Sequence, residues 1–404
     1  MQQLLITTLT ITYIGMQLSL FVTMRYNMTL FIKIMSAVCP FILITIKYCI
    51  FILKAKSIQN LHYLIREDWK IIRNKLEIKI ILEYAHCSRI SAIVLFLFAD
   101  FVVIVIAIVQ FLPNILDVVL PLDEPRPRKL LVAAKYFVSQ DKYFLTKAFH
   151  EIVIIVICAL IVFATASQML VFCCHSFGMF KIASHRIEYS IENSVFHIPN
   201  PEKEYAIYKR IMHAVVAHRR AMEFSNIFVS SFNVPYCFIA VIGVISLSIN
   251  LYGFVEAATI SKNMTNLLFC FLMTLVHLVY MFVANYLGQK IVDYNNELFR
   301  LIYSTSWYLM PVSSQKLILF FMLKTGKDFY FTFGIIFVAK METFAAVRST
   351  KNKKNNRILL KYVIKENLNF CLACECCAVL CRCDVQSRLL IYLFIYLVNC
   401  VWFH

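Results

Sequence analysis

Long apolar stretches separated by charged loops dominate the hydrophobic pattern of this chain. A helix that crosses a bilayer needs about 20 mostly apolar residues, because no water is available there to satisfy an open backbone. Seven stretches meet that requirement, the last of them more weakly. The pattern therefore predicts seven transmembrane helices, at about 3–24, 30–53, 90–113, 150–174, 227–254, 264–288 and 329–348.

Two of the loops between these spans also carry a helical period. Apolar residues recur at the spacing of one helix face after the second span and again before the fifth span. Helices are therefore predicted to extend well beyond the membrane. The recurring residues are Leu61, Ile65, Trp69, Ile72 and Leu76 in the first loop, and Ile207, Ile211, Val215 and Met222 in the second.

The distribution of basic residues predicts how the spans are oriented. The net charge of +17 would favour nucleic acid in a soluble protein, but here Lys and Arg lie in loops between apolar spans, so no nucleic-acid partner is expected. The loops after the second, fourth and sixth spans carry eight, seven and five of them, against eight in all on the other side. These loops and the N-terminus are therefore predicted to be cytoplasmic. The two glycosylation sequons, at Asn27 and Asn263, fall in loops that this orientation places outside.

Composition agrees with a membrane protein. Hydrophobic residues make up 61% of the 404 positions, and only 16% are charged, whereas about a quarter are charged in soluble domains. The predicted fold class is all-α: a polytopic membrane protein with seven transmembrane helices, a cytoplasmic N-terminus and long cytoplasmic helix extensions. The lipid bilayer is its expected environment.

No catalytic constellation is apparent in the sequence. His150 and Glu151 begin like the zinc-binding H-E-x-x-H motif, but Ile154 occupies the position of the second histidine. A Gly-rich phosphate loop is also missing from the sequence. The chain is therefore predicted not to be an enzyme, and no cofactor or metal is expected.

Two polar residues lie in the middle of predicted spans. A carboxylate such as that of Asp100 is costly there unless it is paired, hydrated or protonated, so a functional role is the first interpretation. His277, central in the sixth span, is one candidate partner for Asp100. A local hydrogen bond to a backbone or tyrosine group is the alternative for each of them.

The chain beyond the sixth span predicts a cytoplasmic amphipathic helix followed by a second cytoplasmic helix, Val312 to Met322. The apolar face of the first helix packs against another subunit or within its own subunit; Trp and Tyr are favoured at interfaces but not confined to them. The face consists of Ile291, Tyr294, Leu298 and Leu301, and Trp307, Tyr308 and Pro311 precede the second helix.

Six segments of the chain resemble segments typical of the insect odorant receptor family. The similarity is greatest to the ant and bee branch, covers about residues 4–350, and is most specific from Tyr280 to Lys324. The segments are FLPNILDVVLPLDEPRP, SFGMFKIASHRIEYSIE, IYKRIMHAVVAHRRAMEFSNIFVSSF, YMFVANYLGQKIVDYNNELF, STSWYLMPVSSQKLILFFMLK and METFAAV.

This resemblance implies a ligand-gated, non-selective cation channel in the plasma membrane of olfactory sensory neurons. Family members form tetramers with a shared odorant receptor co-receptor, and the seventh helix lines the pore. The cytoplasmic ends of helices four to seven form the subunit anchor. The resemblance places Tyr294, Leu298, Trp307, Tyr308 and Pro311 in the anchor, and Lys340, Glu342 and Phe344 in the pore helix.

The resemblance also implies a site for a small volatile odorant in the outer halves of helices two to six. Aromatic and Met side chains there suit an adaptable apolar pocket, with ordinary helix packing as the alternative for each residue. In the predicted orientation these halves contain Phe31, Met35, Ile106, Val109, Ile154, Tyr252, Phe269 and Met273.

Two other functions are weighed against this one. A gustatory-type receptor channel of the same superfamily would assemble without the co-receptor, and the Trp307-Tyr308 segment argues against it. A secondary transporter would show inverted repeats and broken central helices, and the sequence shows neither.

The sequence changes character at Lys351. A basic polar run replaces the apolar residues, and six cysteines follow within the thirteen residues from Cys371 to Cys383. Zinc binding by these thiolates and palmitoylation beside a membrane are two interpretations. The favoured one is that residues 351–404 derive from a retained intron or a wrong gene model, which leaves residues 1–350 as the seven-helix receptor domain.

Overall fold

The chain folds into a bundle of long helices. The computed structural model describes residues 2–23, 28–120, 130–132, 134–136, 143–192, 201–261, 263–327, 329–330, 332–333 and 337–338. Within them the helices are α1 (Gln2–Thr23), α2 (Met28–Leu53), α3 (Ala55–Ile71), α4 (Lys75–Val119), α5 (Phe144–Glu192), α6 (Pro201–Glu256), α7 (Met264–Ser304) and α8 (Val312–Thr325). A π-helical turn, Ala257–Ser261, follows α6, and a 3-10 turn, Trp307–Leu309, precedes α8.

Six of these helices are long and apolar enough to cross a membrane: α1, α2, α4, α5, α6 and α7. Each of these helices contains all, or nearly all, of the residues of one of the first six predicted spans. The last four have 45, 49, 56 and 41 residues, and at a rise of about 1.5 Å per residue they extend far beyond a hydrocarbon core of about 30 Å. The prediction of an all-α membrane protein with long helix extensions is confirmed.

The seventh predicted span, 329–348, differs from this pattern where the structure describes it. Thr332–Phe333 (β1) and Phe337–Val338 (β2) form a short antiparallel ladder rather than a helix. Aromatic and β-branched residues dominate this stretch, and they favour extended backbone, so its sequence does not by itself specify a helix. Residues 339–348 and the tail, 351–404, lie outside the described residues.

The sequon residue Asn263 has a structural role at the start of α7. Its side-chain oxygen accepts hydrogen bonds from the backbone N–H groups of Thr265 and Asn266, at 3.1 and 3.3 Å. It thereby satisfies donors that have no partner within the first helical turn. The other sequon residue, Asn27, lies outside the described residues.

Three clusters of buried apolar side chains join the helices. Where the surroundings are lipid, such clusters stabilise by close packing, because lipid tails are as apolar as the side chains. We call them outer, middle and anchor, in order from the predicted outer side, and call the middle and anchor clusters together the inner half. The outer cluster contains Tyr13, Phe41, Val102, Ile106, Ile154 and Phe269; the middle cluster Leu61, Phe172, Phe180, Phe228 and Ile291; the anchor cluster Ile187, Ile211, Leu298, Ile302, Ile318 and Phe321.

Candidate ligand-binding site

The outer cluster brings together five of the eight residues predicted to bind ligand. Three of them are buried in the cluster, namely Ile106, Ile154 and Phe269. Two others, Val109 and Met273, pack against it. The remaining three are half-buried outside it: Phe31 and Met35 on α2, and Tyr252 on α6.

A loop segment that we call the lid, Leu131 and Val132, belongs to the same cluster. Both side chains are buried, although connecting segments usually lie at the surface. The side-chain oxygen of Gln110 accepts a hydrogen bond from the backbone N–H of Leu131, at 2.8 Å. One carboxyl oxygen of Glu151 accepts from the N–H of Val132, also at 2.8 Å. Side chains of α4 and α5 thus hold the lid against the helices.

A cleft opens beside the lid, between α2, α6 and α7. The space inside it that a water-sized sphere can occupy is about 30 Å³, far less than the roughly 300–1,000 Å³ of typical small-molecule sites, so a ligand larger than water requires the cleft to widen. Apolar side chains with a few polar ones make up its walls, as in such sites. The walls consist of Thr29, Ile32, Lys33, Ser36, Ala37, the two lid residues, Gly253, Glu256, Ala257, Asn266, Phe269 and Cys270.

Close helix contact at Gly253 shapes the inner end of this cleft. A Cβ atom on Gly253 would lie 3.0 Å from the Sγ of Cys270 and 3.5 Å from the Cγ2 of Ile32. A Cβ atom here would require the Cys270 thiol to shift by a few tenths of an ångström, so glycine suits the close approach of α6 and α7. The π-helical turn begins directly after Glu256, and such turns frequently occur at functional sites.

Among the cleft walls, sequence reasoning predicted only Phe269. It missed the lid because ligand residues were sought on helices alone, and the available signal was the apolar run LLVAA, 130–134, inside a charged loop. It missed Glu256 because that residue lies two positions beyond the predicted fifth span.

Comparisons with known proteins identify the chain's family. The sequence model of the 7tm odorant receptor family matches residues 27–350. The chain belongs to the 7tm odorant receptor family. As an odorant receptor it is a multi-pass membrane protein and not an enzyme. No curated protein sequence matches the receptor significantly.

Solved structures of an insect olfactory receptor share the receptor's fold. OR5 from Machilis hrabei in complex with eugenol superposes with a TM-score of 0.63 at 14% identity, covering 89% of this chain and 88% of the other. A second structure of the same receptor gives a TM-score of 0.62 at 13% identity, covering 89% of this chain and 86% of the other. At such identities the similarity concerns the fold.

The two intramembrane polar residues of the receptor do not meet. His277 lies 2.7 Å from the backbone oxygen of Met273, through its Nδ1 atom, so it hydrogen-bonds within its own helix. Asp100 is half-buried on α4. Within the described ranges no hydrogen bond or ion pair joins Asp100 to His277, and the local alternative applies to the histidine.

The predicted anchor residues of the receptor lie in and around the two inner clusters. Tyr294 packs against the middle cluster and accepts a hydrogen bond from the hydroxyl of Tyr84, at 2.8 Å. Leu298 is fully buried in the anchor cluster, and Trp307 packs against it. Tyr308 is 63% exposed, and Pro311 immediately precedes α8.

Paired charges connect the receptor's inner helices. Arg186 on α5 holds Glu77 on α4 through two hydrogen bonds of 2.8 Å each. The carboxylate of Asp68 lies 3.0 Å from the Nε2 of His175 and 2.9 Å from the Nε of Arg220. Charge-assisted bonds of this kind fix relative helix positions, since they depend on distance and direction.

Two further residues of the inner half, His218 and Lys181, have shifted pKa values. Burial lowers the pKa of His218 to about 4, with an opposing effect from the Asn295 side chain. A hydrogen bond with Glu297 raises the pKa of Lys181. His218 lies on the part of α6 before the predicted span, between the rings of Phe180 and Phe321.

No metal site accompanies these groups in the described part of the receptor, where no three His, Cys, Asp or Glu side chains are placed to hold an ion. The cysteines Cys371 to Cys383, and the pore-helix residues Lys340, Glu342 and Phe344, lie outside the described residues.

Proposed function

We propose that this odorant receptor is the ligand-binding subunit of a ligand-gated, non-selective cation channel for sensory transduction. It binds a small volatile odorant in the outer half of the bundle and assembles with the odorant receptor co-receptor, most simply as a heterotetramer. The seventh predicted span, 329–348, lines the pore, and the complex acts in the plasma membrane of olfactory sensory neurons.

One observation carries this proposal: α7 is a single helix of 41 residues that connects the outer site to the anchor. Its outer end contributes Phe269 and Met273 to the outer cluster, and its inner end contributes Leu298 to the anchor cluster. A ligand that displaces the outer end therefore has a direct mechanical route to the subunit interface.

The outer cluster supplies the ligand chemistry. OR5 from Machilis hrabei is solved in complex with eugenol, a small, mostly apolar molecule. By analogy we assign the odorant to the outer-half residues, centred on Ile106, Ile154 and Phe269, with Phe31, Met35, Val109, Tyr252 and Met273 around them. The odorant opens the pore because it binds the open state more tightly than the closed state, and this difference in affinity limits how far the equilibrium shifts.

An exposed apolar face on the inner side supports assembly with other subunits. Large apolar side chains there are exposed, although the surrounding clusters are well packed, and exposed patches of this kind mark interaction sites. The face contains Tyr308, Leu309, Val312, Phe320 and Leu323, each more than half exposed. We assign this face and Pro311 to the contact with the co-receptor.

The pore is assigned to the seventh span, with Lys340, Glu342 and Phe344 on it. Lys340 and Glu342 are two positions apart and do not share a helix face, so at most one of them faces the pore. The basic run from Lys351 cannot continue this helix through hydrocarbon. We therefore retain the proposal that residues 351–404 are not part of the working receptor.

The test is the odorant-evoked calcium response of cells that express the receptor with and without the co-receptor. One version carries the native tail, and the other has residues from Lys351 onward replaced by a family-typical helix end. We expect a response only with the co-receptor and only from the repaired version. A response without the co-receptor would instead identify a self-assembling, gustatory-type channel, and equal responses from both tails would contradict our assignment of the tail.

A further inference from the structure

Two cysteines meet where α4 and α5 pack together in the inner half. Cys87 on α4 is exposed, whereas Cys174 on α5 is 5% exposed. The side chains of Cys87 and Ser88 lie within hydrogen-bonding reach of the Cys174 thiol. Neither cysteine forms a disulfide in the structure. The pair therefore combines one sulfur that a small molecule can reach from solution with a second sulfur directly beside it.

The packing of α4 against α5 places this pair independently of the thiols themselves. Arg186 on α5 bonds Glu77 on α4, and a Cβ atom on Gly178 would lie 3.5 Å from the ring of Tyr84. Residue numbers rise along α4 as they fall along α5, so the two helices run antiparallel. About one further turn along each helix leads from Tyr84 and Gly178 to the two cysteines, which the register therefore sets opposite each other.

The surroundings of Cys87 differ from those of other cysteines in the described residues. Cys39, Cys158 and Cys270 are buried, where a thiol ordinarily serves as a small apolar side chain. Cys87 lies three positions before the third predicted span, on the side predicted to be cytoplasmic. Cytosolic disulfides are usually transient and redox-sensing, and sensor cysteines are accessible and often lie next to a resolving cysteine. Cys87 and Cys174 match that arrangement.

We propose that Cys87 and Cys174 are a redox-responsive site, at which a peroxide drives a reversible disulfide between α4 and α5. The Cys87 thiolate attacks hydrogen peroxide, the O–O bond breaks, and the products are a sulfenic acid on Cys87 and a hydroxide that takes up the thiol proton. The Cys174 sulfur then attacks the Cys87 sulfur, the S–O bond breaks, and water leaves. In sum, two thiols lose two electrons and two protons, and one peroxide becomes two water molecules.

This bond would fasten two helices of the inner half to each other. The two cysteines are far apart in the sequence, so the bond restricts the unfolded chain and should raise the unfolding temperature. An accessible thiol reductant reverses the bond by exchange through a mixed disulfide. The proposal does not depend on the ligand, the pore or the co-receptor.

The experiment identifies the bond directly. Reduced full-length receptor in lipid nanodiscs is treated with hydrogen peroxide, its remaining thiols are blocked with iodoacetamide, and its tryptic peptides are analysed by mass spectrometry. We expect peptide 80–89, which contains Cys87, to be linked to peptide 148–181, which contains Cys158, Cys173 and Cys174. Fragmentation should place the bond at Cys174, and dithiothreitol should remove it.

Variants of the cysteines sharpen this test. Cys87→Ser and Cys174→Ser should each abolish the linked peptides and the peroxide-induced rise in unfolding temperature. Cys173→Ser is the matched control, because Cys173 is the adjacent buried cysteine, and it should retain both effects.

Oxidation of Cys87 to a sulfenic or sulfinic acid without linked peptides would overturn the proposal, as would a bond to Cys158 or Cys173. Since fragmentation of the wild-type peptides locates the bond, the test stays decisive if a variant folds poorly. Odorant-evoked currents from the same receptor test the proposed channel function separately, so either conclusion can fail without the other.

Discussion

The inner and outer halves of the receptor are held together by different interactions. In the inner half, charged groups such as Arg186 and Glu77 are paired across helices by short hydrogen bonds. In the outer half, apolar packing dominates among the described residues, while buried polar atoms without a hydrogen-bond partner occur in both halves, for example on Gln110 in the outer half and on His218 in the inner half. Directional bonds fix the inner helices, whereas the half in which we propose the ligand site depends more on apolar packing.

The largest expected effect comes from breaking the inner charge pair at Arg186. Arg186→Met leaves the largely buried carboxylate of Glu77 without its partner, which should lower the free energy of unfolding by about 3 kcal/mol. The measurement is the unfolding temperature of the detergent-solubilised receptor. The double variant Arg186→Met with Glu77→Met should recover much of the loss, because no uncompensated charge remains. A single variant as stable as wild type would show that the pair does not hold the inner half.

Acidification should weaken the inner half through His218. Its pKa of about 4 in the folded receptor lies below the ordinary 6.5, so the unfolded chain binds more protons between these values. Stability is therefore complete above pH 6.5 and falls as the pH drops toward 4, with a loss of up to about 2 kcal/mol between pH 7 and 5.

Unfolding temperatures of wild type and His218→Gln across this pH range test the expectation. The variant lacks the titrating ring, so its stability should depend less on pH while other groups titrate equally in both proteins. Parallel curves for the two proteins would assign the pH dependence to other residues.

A smaller effect is expected in the outer half at Gly253. The Cβ of Gly253→Ala would press on the Sγ of Cys270 at 3.0 Å and narrow the cleft. The Kd of an odorant that binds in the cleft should rise about threefold, less than 1 kcal/mol. Gly243→Ala is the control on the same helix, since a Cβ there has nothing within 4 Å. Adding Cys270→Ala should restore binding, and a failure to do so would place the cause elsewhere.

The sequence predicted the helices well because hydrophobic length and period are local properties. The start of the sixth span at residue 264 and the helix face that contains Leu298 were both predicted from neighbouring residues. The ladder at Thr332–Phe333 was not predicted, since hydropathy alone does not distinguish an apolar helix from an apolar strand.

The candidate site was only partly predictable, because it depends on contacts between distant segments. Ile106, Ile154 and Phe269 share the outer cluster as expected of inward-facing residues. The lid is held by Gln110 and Glu151, which lie 21 and 19 positions from the N–H groups that they bind. No local period in the sequence reports such long-range hydrogen bonds.

The smallest effect is expected where the inner half pairs charges at its surface. Lys181 and Glu297 lie 2.8 Å apart, but their side chains are 40% and 54% exposed. Water and salt screen such a pair, so Lys181→Met should cost no more than about 0.5 kcal/mol, and the cost should shrink further at high salt. Unfolding temperatures at low and high salt, measured beside Arg186→Met, check both points. If Lys181→Met proved as damaging as Arg186→Met, burial would not be what makes the inner charge pairs strong, and the contrast between the two halves would need another physical basis.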